Sequence, residues 1–274
     1  EYLSSQRFTL EVTVTDVNHQ QVSNRTDAVI HKGMYYIGMR PQSYVGQVDK
    51  ESAVEIITVD WAGDPSPGRS LEVTAGKRTW YSVKKQMEDG RYYWESVTED
   101  TPVYTTTVTS DANGEAVVHF TPQEGGVYYV RAVGKDQHGN EIRSATYLWV
   151  SDQHYVSWRR ENNDRIELVA DRREYQVGDT AHILVPHPYQ GQVKALVTLE
   201  RGHIYQHWVQ TLETNSDQIN IPITEDLIPN VFVSVVIVKG QDETNPSPDF
   251  KVGYVCLLYT SDAADELDGV DLGG

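Results

Sequence analysis

Turn-forming residues recur every 8 to 14 positions along this chain, and no 3.6-residue period joins them. Phe8 to Val14 alternates apolar and polar residues, and a polar turn, Asp16 to Ser23, precedes Ala28 to His31. Val54 to Val59 leads into a Gly63–Gly68 turn and a strand from Ser70 to Val73. Trp80 to Val83 and Tyr92 to Trp94 flank a charged tip, Glu88-Asp89-Gly90. Thr105 to Val108 reaches Asp111-Ala112-Asn113-Gly114, where an Asn-Gly pair between alternating segments predicts a tight hairpin, because both residues tolerate positive φ. The same style continues through Ile166 to Val169, Ala181 to Val185, Val193 to Leu199, His203 to Leu212, Asn220 to Ile223, Val231 to Val238 and Phe250 to Val255. Short alternating strands at regular spacing predict an all-β chain of tandem antiparallel β-sandwiches, of fibronectin or immunoglobulin type. One helical signal, Thr224-Glu225-Asp226, is cut short by Pro229, so a single turn is expected there.

Two internal repeats set the module count. Asp16, Val22 and Ile30 recur as Asp136, Ile142 and Val150, all offset by 120 residues. Tyr44-Val45-Gly46 ahead of Ala53-Val54 is echoed by Tyr175-Gln176-Val177-Gly178 ahead of Ala181-His182-Ile183. The expected organisation is the closing part of one module over residues 1–31, a sandwich over 33–151, a second over 155–256, and an unpacked tail over 257–274. The tail, with Cys256-Leu257-Leu258-Tyr259 at its root, breaks the strand style and is read as non-native sequence joined to the frame, the alternative being a genuine acidic disordered end. Without the rest of its module, the 1–31 segment is expected to expose an apolar inner face and to be locally disordered or prone to aggregation.

Composition narrows the function classes. The net charge is −17, and five of the negative charges lie in the last 13 residues, leaving about −12 for the rest. An acidic chain is a poor partner for nucleic acid or anionic lipid, since both need a basic face. The single cysteine, Cys256, rules out an internal disulfide and a cysteine-based metal site. No apolar run reaches the roughly 18–20 residues of a membrane span, so no membrane insertion is expected. The chain starts at Glu1 without a signal peptide and reads as a fragment.

Four constellations invite chemistry, and each has a plainer reading. His203 and His207 have the spacing of a helical chelate, with His182 and His187 nearby. On a strand, however, residues i and i+4 lie about 13 Å apart, so the expectation is solvent-facing strand histidines. Trp80, Tyr81, Tyr92, Tyr93 and Trp94 cluster with Glu88, Asp89, Glu95 and Glu99, as a sugar-cleaving site would require. Nothing fixes the two carboxylates across a cleft, so a solvated face is expected there, with surface aromatic contacts to a partner or sugar as the other reading. Asp111-Ala112-Asn113-Gly114 resembles a calcium loop but lacks its downstream bidentate glutamate, so a hairpin turn is expected. Asn24-Arg25-Thr26 is a formal glycosylation sequon. Nucleophile-elbow, phosphate-loop and zinc-protease motifs are absent. No catalytic, cofactor-binding or metal residue is therefore assigned, no cofactor is expected, and the chain is not read as an enzyme.

Residues 171–185, from Asp171 through Tyr175, Gly178 and Ala181, resemble the opening of the bait-region-associated domain of alpha-2-macroglobulin-like proteins. The resemblance continues in Val193 to Gly202, in Ile221-Pro222-Ile223-Thr224-Glu225-Asp226-Leu227-Ile228-Pro229-Asn230, and, as in bacterial members, in Phe250 to Tyr254. Tyr44 to Gly46 and Thr109 through Asp111, Gly114, Pro122 and Gly126 look like the preceding macroglobulin module, so about residues 8–255 are covered. The resemblance implies an extracytoplasmic (periplasmic, cell-surface or secreted) broad-range endopeptidase inhibitor. In such proteins a protease cuts a bait segment, the modules collapse around it, and an internal thioester captures it. The implied partners are proteases, through the full-length parent, and neighbouring macroglobulin modules. A thioester needs Cys-x-Glu-Gln, whereas Cys256 is followed by Leu257-Leu258-Tyr259, and no loop before residue 255 has the length of a bait. This chain is thus expected to supply scaffold. The alternative is a tandem-sandwich adhesin or carbohydrate-binding module using exposed Tyr and Trp.

Overall fold

The computed structural model describes residues 5–86, 92–159, 163–245 and 247–259, with the side chains of 82–96 left aside. The chain opens with an antiparallel hairpin, β1 (Gln6–Thr15) and β2 (Gln21–Ile30). Eight strands follow: β3 (Tyr36–Pro41), β4 (Val45–Gln47), β5 (Ser52–Val59), β6 (Ser70–Gln86), β7 (Tyr92–Thr109), β8 (Glu115–Phe120), β9 (Gly126–Lys135) and β10 (Glu141–Ser151). They form two sheets, β3-β5-β8 and β4-β10-β9-β6-β7. A second set follows: β11 (Val169–Ala170), β12 (Glu174–Tyr175), β13 (Thr180–Leu184), β14 (Val193–Glu200), β15 (Ile204–Leu212), β16 (Gln218–Pro222), β17 (Asn230–Lys239) and β18 (Asp249–Tyr259). Its sheets are β11-β13-β16 and β12-β18-β17-β14-β15. Among the described residues the one helical element is a 3-10 turn, Glu225–Leu227, at the predicted site.

Period-two burial shows why these segments are strands. Along β14 buried and less buried residues alternate, with Val193, Ala195, Val197 and Leu199 facing inward. In the first sandwich, Ile37, Val54, Ile56, Val118 and Phe120 of one sheet meet Leu71, Val73, Tyr128, Val130, Ala132, Leu148 and Val150 of the other in one core. The second sandwich repeats this, with Ala181, Ile183, Ile219 and Ile221 of one sheet against Ala195, Val197, Val233, Val235 and Leu257 of the other. β6 and β7 form one long ribbon where separate short strands were expected. A bulge between Ala75 and Gly76 interrupts it, and a Cβ on Gly76 would come within 2.3 Å of the Tyr129 ring lying across it.

Both repeats are structural. Asp16 and Asp136 build the same turn: the Oδ1 of each accepts the backbone N–H groups of the residues two and four positions later. Asp60 and Asp111 do likewise, so one Asp-anchored turn is used four times, the Asp111 calcium-loop look-alike included. The fourth turn residue takes positive φ each time, as Gly63, Gly114 and Gly139 and, at higher steric cost, His19. The Tyr44 and Tyr175 echoes mark the two short strands β4 and β12, each pairing in parallel with the last strand of its own sandwich.

The hairpin β1–β2 is laddered over ten residue pairs. Its apolar face is exposed as expected: Phe8, Leu10, Val12, Val22 and Ile30 stand 120 residues before Tyr128, Val130, Ala132, Ile142 and Val150, all core residues of the first sandwich.

The root of the tail is part of the second sandwich and not of an unpacked segment. β18 runs to Tyr259, with Leu257 fully buried and Tyr259 nearly so, and β12 pairs with Leu258 and Tyr259. Cys256 to Tyr259 therefore keep the strand alternation, with Cys256 opposite Phe232; residues 260–274 lie outside the described residues. Leu257→Ala should cost roughly 2–5 kcal/mol of stability, as for other buried leucines. Urea unfolding measures this, and an unchanged midpoint would place residue 257 outside the core.

Candidate functional site: the junction between the sandwiches

The first sandwich ends on an outer face that is not wholly polar. Arg78 and Trp80 on β6, Val127 on β9, and Tyr147 and Trp149 on β10 share that face, since Val127 pairs with both Arg78 and Trp149. The segment after β10 brings Val156 and Trp158 onto it, and the second sandwich adds Val169 and Leu184. With Tyr44, Val45, Trp80 and Trp149 packed alongside, these residues form a third apolar core between the other two. An apolar interface of this kind opposes the relative motion that is the default for linked domains.

Asn215 is the polar centre of the junction and is 3% exposed. Its Nδ2 donates to the carbonyls of Val156 (2.7 Å) and His187 (3.0 Å), and its Oδ1 accepts the Val156 N–H (2.9 Å). Its own carbonyl accepts the Trp158 indole N–H at 2.6 Å. Ser216 extends the seam, accepting from the Asp152 N–H (3.2 Å) and donating to the Asp152 carbonyl (2.7 Å). The Tyr44 N–H donates to the Asp171 carbonyl (2.8 Å), and the Arg173 guanidinium lies 5.4 Å from the Tyr44 ring centre. The Asp171 carboxylate in turn accepts from the Tyr175 hydroxyl and the His182 N–H, both at 2.8 Å. Burial, and then the Asp171 carboxylate, push the Tyr175 phenol up, so it stays a neutral donor.

His187 is fully buried beside Asn215. Its Nε2 lies 3.2 Å from the Thr214 carbonyl, and its Nδ1 has no hydrogen-bond partner. Burial is the main cause that holds its pKa down at about 4. The imidazole is therefore neutral at pH 7 and serves as a packed junction residue.

The other histidines are placed differently. His207 is exposed on β15 and His203 is exposed just before it, stacked on Tyr205 at 4.2 Å between ring centres. His182 is half-buried and sits 2.7 Å from the Asn220 Oδ1. His187 thus departs from the solvent-facing expectation, because it lies in the buried segment after β13 rather than on an exposed strand face. No group of three or more His, Cys, Asp or Glu able to hold a metal occurs among the described residues. Of the aromatic–acid cluster, Tyr81 is exposed and hydrogen-bonds Glu99, which raises its pKa. Trp80 turns to the junction. Glu88 and Asp89 lie outside the described residues, as do the side chains of Tyr92, Tyr93, Trp94 and Glu95. Asn24 is exposed on β2. Cys256 is half-buried, with the Asn230 Nδ2 3.5 Å from its Sγ.

Sequence reasoning missed Asn215, Ser216 and Trp158. Trp158 left a faint signal, as a large apolar residue among the polar neighbours Ser157, Arg159 and Arg160. Asn215→Ala should cost roughly 2–4 kcal/mol, since it strands the Val156 N–H and the His187 carbonyl. It should also separate the two sandwiches into distinct calorimetric transitions; a single transition with little loss would refute the junction's role. The His187 pKa is lower folded than unfolded (about 4 against about 6.5), so its contribution is present above pH 6.5 and fades as pH falls toward 4. Urea midpoints between pH 7 and 4.5 should fall more steeply for the wild-type chain than for His187→Leu; parallel profiles would contradict this.

Residues 38–146 match bacterial macroglobulin domain 6, and residues 166–264 match the alpha-2-macroglobulin bait region domain. An alpha-2-macroglobulin homolog of Nostoc sp. is 25% identical over 232 residues, 85% of this chain and 12% of the relative. The alpha-2-macroglobulin of Ralstonia nicotianae is 29% identical over 142 residues, 48% of this chain and 8% of the relative. Escherichia coli alpha-2-macroglobulin in its native conformation superimposes with a TM-score of 0.42 at 20% identity, covering 96% of this chain and 17% of that structure. The chain therefore spans about one eighth or less of the length of these two curated relatives. With two successive modules matched on either side of the Asn215 junction, the chain belongs to the alpha-2-macroglobulin family, of bacterial type.

Proposed function

We propose that this chain is scaffold from a broad-range endopeptidase inhibitor that traps proteases after bait cleavage. The observation that carries the reading is the succession of two family modules joined by a buried seam in place of a free linker. A trap that closes when a bait is cut needs modules that move as bodies, since a slack linker would dissipate the change before it reached the protease. The seam of Asn215, Trp158 and Val156 gives this pair such stiffness. The chain itself carries out no chemistry in this scheme; its partners are the protease, met through the whole parent, and adjoining macroglobulin modules. An extracytoplasmic location accompanies the family, and no helix among the described residues is long and apolar enough to cross a membrane.

The full-length parent should be incubated with trypsin and assayed on a protein substrate and a small peptide amide. A trap suppresses hydrolysis of the protein while the small amide is still cleaved. Equal suppression of both, or of neither, would sink the proposal.

A further inference from the structure

A cleft of about 730 Å³ opens beside the junction, between the outer face of the first sandwich and the loops of the second. Its aromatic walls are Trp80, Tyr147, Trp149 and Trp158, and its far side carries Arg165, Glu167, Pro188, Gln190, Asp249 and Lys251. Trp80 and Trp149 are half-buried and Tyr147 is 37% exposed, although they adjoin a core. That volume is within the range of small-ligand sites, roughly 300–1,000 Å³.

The chemistry selects among ligands. Four cations line the cleft, Arg78, Arg159, Arg165 and Lys251; Arg78 is paired with Asp100 at 2.7 Å, and Lys251 lies 3.8 Å from both Asp164 and Asp249. Carboxylates already oppose Arg78 and Lys251, which weakens the pull of the cleft on an anion relative to a site built on unopposed cations. A peptide that binds by adding a strand needs a sheet edge, whereas this floor is the face of β6, β9 and β10, the inner strands of their sheet. Flat aromatic faces surrounded by amide, carboxylate and guanidinium groups suit a molecule with apolar C–H faces and a belt of hydroxyls. We propose that the cleft between the sandwiches binds a neutral oligosaccharide, stacked on Trp80 and Trp149 and hydrogen-bonded by polar groups of the second sandwich. The proposal is independent of the protease-trap reading, and either can fail alone.

The 274-residue chain should be titrated with cello-, xylo-, chito- and malto-oligosaccharides, followed by tryptophan fluorescence and calorimetry. Saturable quenching with a Kd of roughly 0.1–1 mM is expected for at least one of them. Trp149→Ala should weaken it about 10-fold or more, the order of one lost stacking contact. Arg165→Ala, at the exposed rim, should weaken it while leaving the urea midpoint unchanged, and so decides the matter if Trp149→Ala does not fold. Tyr254→Ala, on the outer face of the second sandwich, should bind as the wild type does. No saturable signal with any sugar would overturn the proposal. So would binding that survives both cleft substitutions, or capture of a proline-rich peptide by the cleft in place of the sugars.

Discussion

The Asn215 side chain and the indole of Trp158 fix the strap of chain between two independently cored sandwiches, beside the direct bond from the Tyr44 amide to the Asp171 carbonyl. Asn215 is buried with both ends of its amide occupied, and the backbone groups of Val156 and His187 that it satisfies have no sheet ladder to bond to. Buried backbone groups outside regular structure need such a partner. The amide therefore makes it possible to bury the strap, and burying the strap brings Val156 and Trp158 against Val127 and Leu184. The third core follows from that contact, and so does the cleft beside it. His187, packed in the same place with one ring nitrogen unpartnered, ties the seam to the neutral form of an imidazole.

The strands and the two cores were readable from sequence because both depend on local alternation. Val193 to Leu199 alternates whatever it packs against, and the Asp-anchored turns carry their own hydrogen-bonding residue. The 120-residue repeat was readable for the same reason, since turn and register travel together. The junction was not readable, because it joins Tyr44, Trp158, Asp171 and Asn215 across more than 170 residues of chain with no local pattern. A lone Asn in a turn ordinarily signals only the turn. The end of the second sandwich failed for a different reason. Cys256-Leu257-Leu258-Tyr259 looks unlike its predecessors by composition, yet its alternation is intact and β12 pairs with it in parallel. Composition outweighed period in that reading, and the period was the physical signal.

The residues behind the family resemblance turn out to be architectural. Arg201 donates to the carbonyls of Leu227 and Asn230 and to the Tyr205 hydroxyl, tying the β14–β15 turn to the 3-10 turn of the Ile223 to Asn230 segment. Tyr175 and Asp171 fix the entry into the second sandwich, and Asp171 also receives the Tyr44 amide from the first. Residues behind the resemblance therefore support both the modules and their mutual placement.

Residual dipolar couplings measured across both sandwiches of the isolated chain test the stiffness of the junction most directly. A junction held by Asn215 and the third core predicts that one alignment tensor fits amides of β5, β9, β14 and β17 together. Two tensors of clearly different magnitude would show sandwiches moving independently and would contradict it.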